Sequence, residues 1–157
     1  PYQYSSLFET VYTFEPEHKN HNCLVDNLKD CKNTIIYNLG IGNKAEHLGI
    51  KLDRKNSGKH MIADTDVNPI SIITIDSLNL ADVDLIHLDL EGYELFALQG
   101  AIETIKTYKP LIVLETNDLC EEFGYTLVDL DNWIYSIGYK KIKEWEDDCA
   151  YAFAGDT

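Results

Sequence analysis

With 157 residues, 45% of them hydrophobic and 11% aromatic, the chain has one domain's worth of sequence and enough apolar content for a real core, which excludes a disordered chain or a fibre. Thirteen Lys and Arg against 27 Asp and Glu leave a net charge of −14, a surface that repels polyanions and so excludes nucleic acid as an expected partner. No apolar run is long enough to span a bilayer and no signal-peptide pattern opens the chain, so no membrane partner is expected.

Residues 1–9 carry little signal; Leu7 and Phe8 suit the tail of a helix. Val11-Tyr12-Thr13-Phe14 is rich in strand formers and stops at Glu15-Pro16, because proline disfavours the helical region for the residue before it. Pro16 suits the first turn of a following helix, whose buried face is marked by Leu24, Leu28 and Cys31. Thr34 to Leu39 reads as the next strand, ended by Gly40 and Gly42. Residues 43–69 predict a short strand near 47–52 and then a mobile loop through Lys55-Asn56-Ser57-Gly58-Lys59. Ile70 to Ile75 is strand-like, and Asp76 can cap the short turn Ser77-Leu78-Asn79.

The stretch that organises the chain is Leu85-Ile86-His87-Leu88-Asp89-Leu90-Glu91-Gly92-Tyr93-Glu94. Its apolar opening predicts a strand buried on both faces, and Leu95, Leu98, Ile102 and Ile105 then mark one face of a helix. Three carboxylates, Asp89, Glu91 and Glu94, fall at or just past the strand's carboxyl end, where open α/β sheets collect ligands. Acids in the first turn of a helix also stabilise it through the macrodipole, by roughly 0.3–1 kcal/mol each, which accounts for Glu91 and Glu94 without any function. Asp89 fits that account less well, since a carboxylate closing a buried strand must be paired or solvated by a crevice.

Pro110 opens a second apolar run, Leu111-Ile112-Val113-Leu114, closed by another acid, Glu115. Leu127, Leu130, Ile134 and Ile137 resume a helical period, with Gly138 as its C-terminal cap. Lys140 to Trp145 and Cys149 to Phe153 read as an antiparallel hairpin at a sheet edge. The order β-α-β-(loop, β)-β-α-β-α-β-β predicts a single α/β domain over 1–157, three-layered, around a mostly parallel sheet. Cys23, Cys31, Cys120 and Cys149 show no zinc or redox spacing; they read as reduced thiols of a cytoplasmic protein, and no metal centre is expected.

Taken as a set, Thr74-Ile75-Asp76, Asp89-Leu90-Glu91-Gly92-Tyr93-Glu94, Leu98-Gln99-Gly100-Ala101 and Pro110 through Glu115 resemble the FkbM family of methyltransferases. That family carries the Rossmann-like class I fold that uses S-adenosylmethionine. Val11 to Pro16 with Leu24 and Asn27 resembles its second strand and helix, while 43–69 matches poorly. The resemblance implies that Glu15 holds the ribose hydroxyls of S-adenosylmethionine and that Asn38, Leu39 and Gly40 lie near the adenine. It implies that Asp89 lines the pocket by the methionine end. Glu91, Glu94 and Glu115 would face a small hydroxylated acceptor or sugar, with one of them a general base. The catalytic set is then Asp89, Glu91, Glu94 and Glu115, and the cofactor set Glu15, Asn38, Leu39, Gly40 and Asp89.

Two departures from the family pattern stand out. His87 replaces the usual Lys; a His on a buried strand is more often a satisfied core residue than a catalyst. Only 14 residues precede Glu15, none of them glycine, so the family's first strand and glycine-rich loop are expected to be missing, an N-terminal truncation. Strands left without a partner could cover their edges by forming a homo-oligomer. Three readings stay open: an O-methyltransferase, a truncated or degenerate fold that binds a ligand or partner without catalysis, and a divalent-metal phosphotransfer site on the strand-end acids, which no Gly-rich phosphate loop or suitably placed Lys accompanies.

Overall fold

The computed structural model describes residues 1–51, 61–63 and 68–155. They form two compact units, Pro1–Ile41 with Ala45–Ile73 and Gly42–Lys44 with Thr74–Thr157.

The first unit begins with a short 3-10 turn, Tyr4–Ser6, in place of the expected helix tail. Strand β1 (Val11–Phe14) and strand β2 (Thr34–Tyr37) then pair in parallel, Val11 opposite Thr34 and Phe14 opposite Tyr37. Parallel strands need a crossover, and helix α1 (His18–Leu28) supplies it. Glu17 caps α1 by accepting the Asn20 N–H at 2.8 Å. The helix stops at Leu28, short of Cys31, and of its three predicted core positions only Leu28 is buried.

Strand β2 ends at Tyr37, and Gly40–Ile41 form a separate strand, β3, where the sequence predicts that Gly40 ends the preceding strand. β3 runs parallel to β6 (Pro69–Ile73), which is antiparallel to β4 (Glu46–Lys51), itself antiparallel to β5 (Met61–Ala63). Ile50, Ile70 and Ile72 form the core of this sheet, with Leu48 and Ile62 against it. The expected loop at 55–59 lies outside the described residues.

In the second unit the strand order is β7 (Leu85–Leu88), β8 (Leu111–Glu115), β10 (Asp148–Phe153), β9 (Tyr139–Glu144). Only β7 and β8 are parallel; β10 is antiparallel to both β8 and β9. The α/β class and the closing hairpin are as expected, but the sheets are small and mixed rather than mostly parallel. β7 is also not buried on both faces: Ile86 and Leu88 are buried while His87 is exposed, so His87 is no core residue.

The helix expected from Leu95 to Ile105 is two helices, α2 (Glu94–Gln99) and α3 (Ile102–Tyr108). The cause is long-range. Asp76 does not cap its own turn, where Thr74 Oγ1 accepts the Ser77 N–H instead. The Asp76 carboxylate accepts the N–H groups of Glu103 and Thr104, at 3.1 and 2.9 Å, and the Thr104 hydroxyl at 2.7 Å. This cap starts a new helix. Gly100 closes the old one, and a Cβ there would collide with the Gly42 carbonyl oxygen. Helix α4 (Leu127–Ser136) begins at a capping box formed by Thr126 and Asp129, and Gly138 follows its end as predicted. Ile112, Leu114, Leu98, Ile105, Leu130, Ile134 and Tyr151 are almost completely buried. Each such side chain contributes roughly 1.5–3 kcal/mol of transfer free energy.

Candidate active site

The parallel register of β7 and β8 sets Leu88 opposite Leu114. One residue further along each strand line come Asp89 and Glu115, which places two carboxylates at the carboxyl ends of neighbouring strands. Glu91 follows on the turn after β7. Carboxylate oxygens of Asp89, Glu91 and Glu115 all lie within 4.8 Å of one another, with Asp89 exposed and the other two half-buried. The spacing would suit a bridging cation, but nothing beyond the acids themselves points to one.

Crowding of like charges has a direct electrostatic result. Burial raises the Glu115 carboxyl first; the Asp89 charge and a side-chain hydrogen bond with Asp89 add to it, and Glu91 and Glu94 contribute further. Glu115 is pushed up to about 8, so it exchanges its proton near neutral pH. Asn117 Nδ2 donates to Glu115 Oε2 at 2.9 Å and so fixes the orientation of the carboxyl.

The turn that carries Glu91 is conformationally unusual. Glu91 has φ +52° and Gly92 φ +97°, two successive left-handed residues. At Gly92 an added Cβ would lie 2.6–2.8 Å from backbone atoms of Leu119 and Cys120, so this position also requires glycine for space. A left-handed Glu is uncommon, and backbone strain of this kind concentrates at functional sites.

Glu94 is placed differently from the other three acids. It is 3% exposed, and its Oε1 accepts the N–H groups of Leu90 at 2.8 Å and Gly92 at 3.3 Å. Burial raises its pKa, opposed by these backbone hydrogen bonds. The carboxylate thus faces the backbone of the turn, which it holds in shape. Beneath the turn, Tyr93 stacks on Phe96 at 4.7 Å between ring centroids and meets Phe123 edge-on at 5.2 Å.

The remaining predicted residues belong to the first unit. Glu15 follows β1, with its N–H on the Tyr37 carbonyl at 3.0 Å and its Oε1 accepting the Glu17 N–H at 2.8 Å. Asn38 Nδ2 donates to the carbonyls of Glu15 and Pro16, at 2.8 and 3.0 Å, so its amide braces the end of β1. Leu39 is half-buried, and Gly40 belongs to β3. A carboxylate just past a strand end, with its main chain tied down on both sides, has the chemistry needed to accept two vicinal hydroxyls.

A family model described as the methyltransferase FkbM domain matches residues 7–141. The chain belongs to this family. A crystal structure of the methyltransferase FkbM from Methylobacillus flagellatus KT matches with a TM-score of 0.68 at 24% identity. The match covers 93% of this chain and 37% of that one, so the likeness establishes the fold and the chain spans little more than a third of the length of that relative. No curated protein matches.

Within this FkbM domain, sequence reasoning overlooked Asn117 and Tyr125. Asn117 lies two residues past Glu115 and caps the 3-10 helix Asp118–Phe123 by accepting the Leu119 N–H. An Asn at a strand-to-helix junction is a capping signal, and only the fold shows that the same side chain also holds the acid. Among the described residues no helix is long and apolar enough to cross a membrane, and all four cysteines are free thiols.

Proposed function

We propose that this FkbM domain is an S-adenosylmethionine-dependent O-methyltransferase acting on a hydroxyl of a small molecule or sugar, in a three-layer Rossmann-like arrangement. The observation that carries the reading is the convergence of Asp89, Glu91 and Glu115 at the carboxyl ends of two adjacent parallel strands. Family membership supports methyl transfer as the reaction class. When bound, S-adenosylmethionine supplies a methyl group already activated on a sulfonium, which leaves alignment and proton removal to the protein.

Glu15 would accept the ribose hydroxyls, with Asn38, Leu39 and Gly40 by the adenine. Asp89 supplies negative charge toward the cationic methionine end, and Glu91 orients the acceptor. Glu115 is the base. A neutral alcohol is a weak nucleophile, and a carboxylate titrating near 8 takes up its proton more readily than an ordinary one. Glu94 has its carboxylate on the backbone of the turn, and its role is to keep Glu91 and Gly92 in place.

The test is calorimetric titration of the chain with S-adenosylhomocysteine beside a Glu15→Ala variant, followed by an acceptor screen with labelled methyl donor. Micromolar binding that collapses in the variant supports the reading, and methyl transfer in the screen should be lost in Glu115→Gln. A well-folded sample with no affinity for S-adenosylhomocysteine sinks it.

A further inference from the structure

We propose that Tyr125 is a positioning residue for the acid cluster, a clamp that fastens the loop after β7 to the loop after β8 and thereby sets where Asp89 and Glu91 stand relative to Glu115. Asp89 and Glu91 are carried by the first loop, and Glu115 ends β8 just ahead of the second. The register of β7 and β8 sets Asp89 beside Glu115, and contacts between the two loops then hold the turn that carries Glu91.

Tyr125 makes the polar link. Its hydroxyl donates to the Gly92 carbonyl at 2.7 Å and accepts the Leu95 N–H at 3.3 Å, spanning the turn and the start of α2. The ring is buried, 7% exposed, and meets Phe96 edge-on at 6.0 Å. Burial raises the phenol's pKa, so it remains a neutral donor. Tyr125 is itself anchored at its N–H on the Cys120 carbonyl and sits next to the capping residue Thr126 of α4. The clamp therefore ties a left-handed turn to rigid structure.

The two hydrogen bonds matter because within the turn the only backbone bond is that of the Tyr93 N–H to the Leu90 carbonyl, at 3.3 Å, among the described hydrogen bonds. Glu91 and Gly92 occupy a backbone region that relaxes when its restraints are removed. Glu94 restrains the N–H side of the turn and Tyr125 the carbonyl side. Both side chains are buried.

This inference rests on the reading of Asp89 as a cofactor-binding residue, and the test separates the two. Tyr125→Phe keeps the ring and deletes the hydroxyl. Amide hydrogen exchange should accelerate by about tenfold or more in 90–95 and stay unchanged in β8, β9 and α4. Binding of S-adenosylhomocysteine, measured by calorimetry well below the melting temperature, should weaken by about fivefold in Tyr125→Phe, within the range of coupling between contacting groups. The same substitution in an Asp89→Asn background should have little further effect, because the hydroxyl acts through the placement of Asp89. A merely structural role would lower the melting temperature with the dissociation constant unmoved. Unchanged exchange in 90–95, or equal weakening in both backgrounds, overturns the proposal. If the parent chain does not bind S-adenosylhomocysteine the functional reading fails, and the exchange pattern alone then decides the clamp.

Discussion

Gly92→Ala gives the sharpest test of the physical reasoning, because two separate costs act at one position and a second glycine in the same unit isolates one of them. At φ +97° a Cβ crowds its own backbone, a term of roughly 1–2 kcal/mol for a left-handed L-residue. The Cβ would also stand 2.6–2.8 Å from backbone atoms of Leu119 and Cys120, which cannot rotate away as a side chain can. Overpacking of this kind costs about 1–3 kcal/mol. The total is about 2–5 kcal/mol, centred on ~3.5 kcal/mol. At about 2–4 °C per kcal/mol for a chain of this size, the melting temperature should fall by about 10 °C. Gly124 has φ +83° with nothing within 4 Å of the added Cβ, so Gly124→Ala carries the first cost alone and should lose about 4 °C. Thermal and urea unfolding followed by circular dichroism measure both. Equal losses in the two variants would refute the argument, since they would show that the approach of Leu119 to Gly92 is not what requires glycine there.

Glu115→Gln tests the acid cluster through stability. A carboxyl raised from 4.5 to about 8 in the folded state is favourable to folding in its protonated form below about pH 4.5, and that stability is lost as pH rises through 8. The variant, which cannot ionise, should gain on the parent between pH 5 and 8.5 in urea titrations and gain no more above that; a pH-independent difference would contradict the shift. Asp76→Ala should cost about 2 kcal/mol in urea unfolding, from loss of the α3 cap and of the acceptor for the buried Thr104 hydroxyl. A loss of only a few tenths would mean that Asp76 serves no more than its own exposed turn.

Much of the fold was legible because local periodicity and chain punctuation agreed. Glu15-Pro16 ends β1 where the sequence predicts, β8 runs from Leu111 to Glu115, and the turn between Trp145 and Cys149 makes the closing hairpin. What escaped was non-local. Nothing near Asp76 in sequence says that its carboxylate caps a helix 26 residues on, and without that cap the spacing of Leu95, Leu98, Ile102 and Ile105 reads as one continuous helix. β7 looked buried on both faces because Leu85, Ile86 and Leu88 outweigh one His in a run of four, yet His87 is exposed. At the site the acid residue types were readable, but their division of labour was not. Glu94 turns its carboxylate onto the backbone of the turn while Glu91 joins the acid cluster, a difference that follows from burial and from the left-handed pair at 91 and 92.

The acid cluster is also an argument about what the fold tolerates. Two carboxylates about 5 Å apart repel by roughly 1 kcal/mol at the dielectric of water and by several times that where solvent is excluded. A purely structural pair of strand ends would be more stable with a neutral residue in place of either acid. Here the parallel register sets Asp89 beside Glu115, the left-handed turn brings Glu91 to both, and Asn117, Glu94 and Tyr125 each hold one part of that arrangement. Three buried or half-buried side chains that hold these acids where they cannot all ionise freely are hard to explain by stability. They are expected where the crowding itself is useful, in raising a carboxyl to the range where it exchanges a proton near neutral pH, which is what the proposed methyl transfer to a hydroxyl would need.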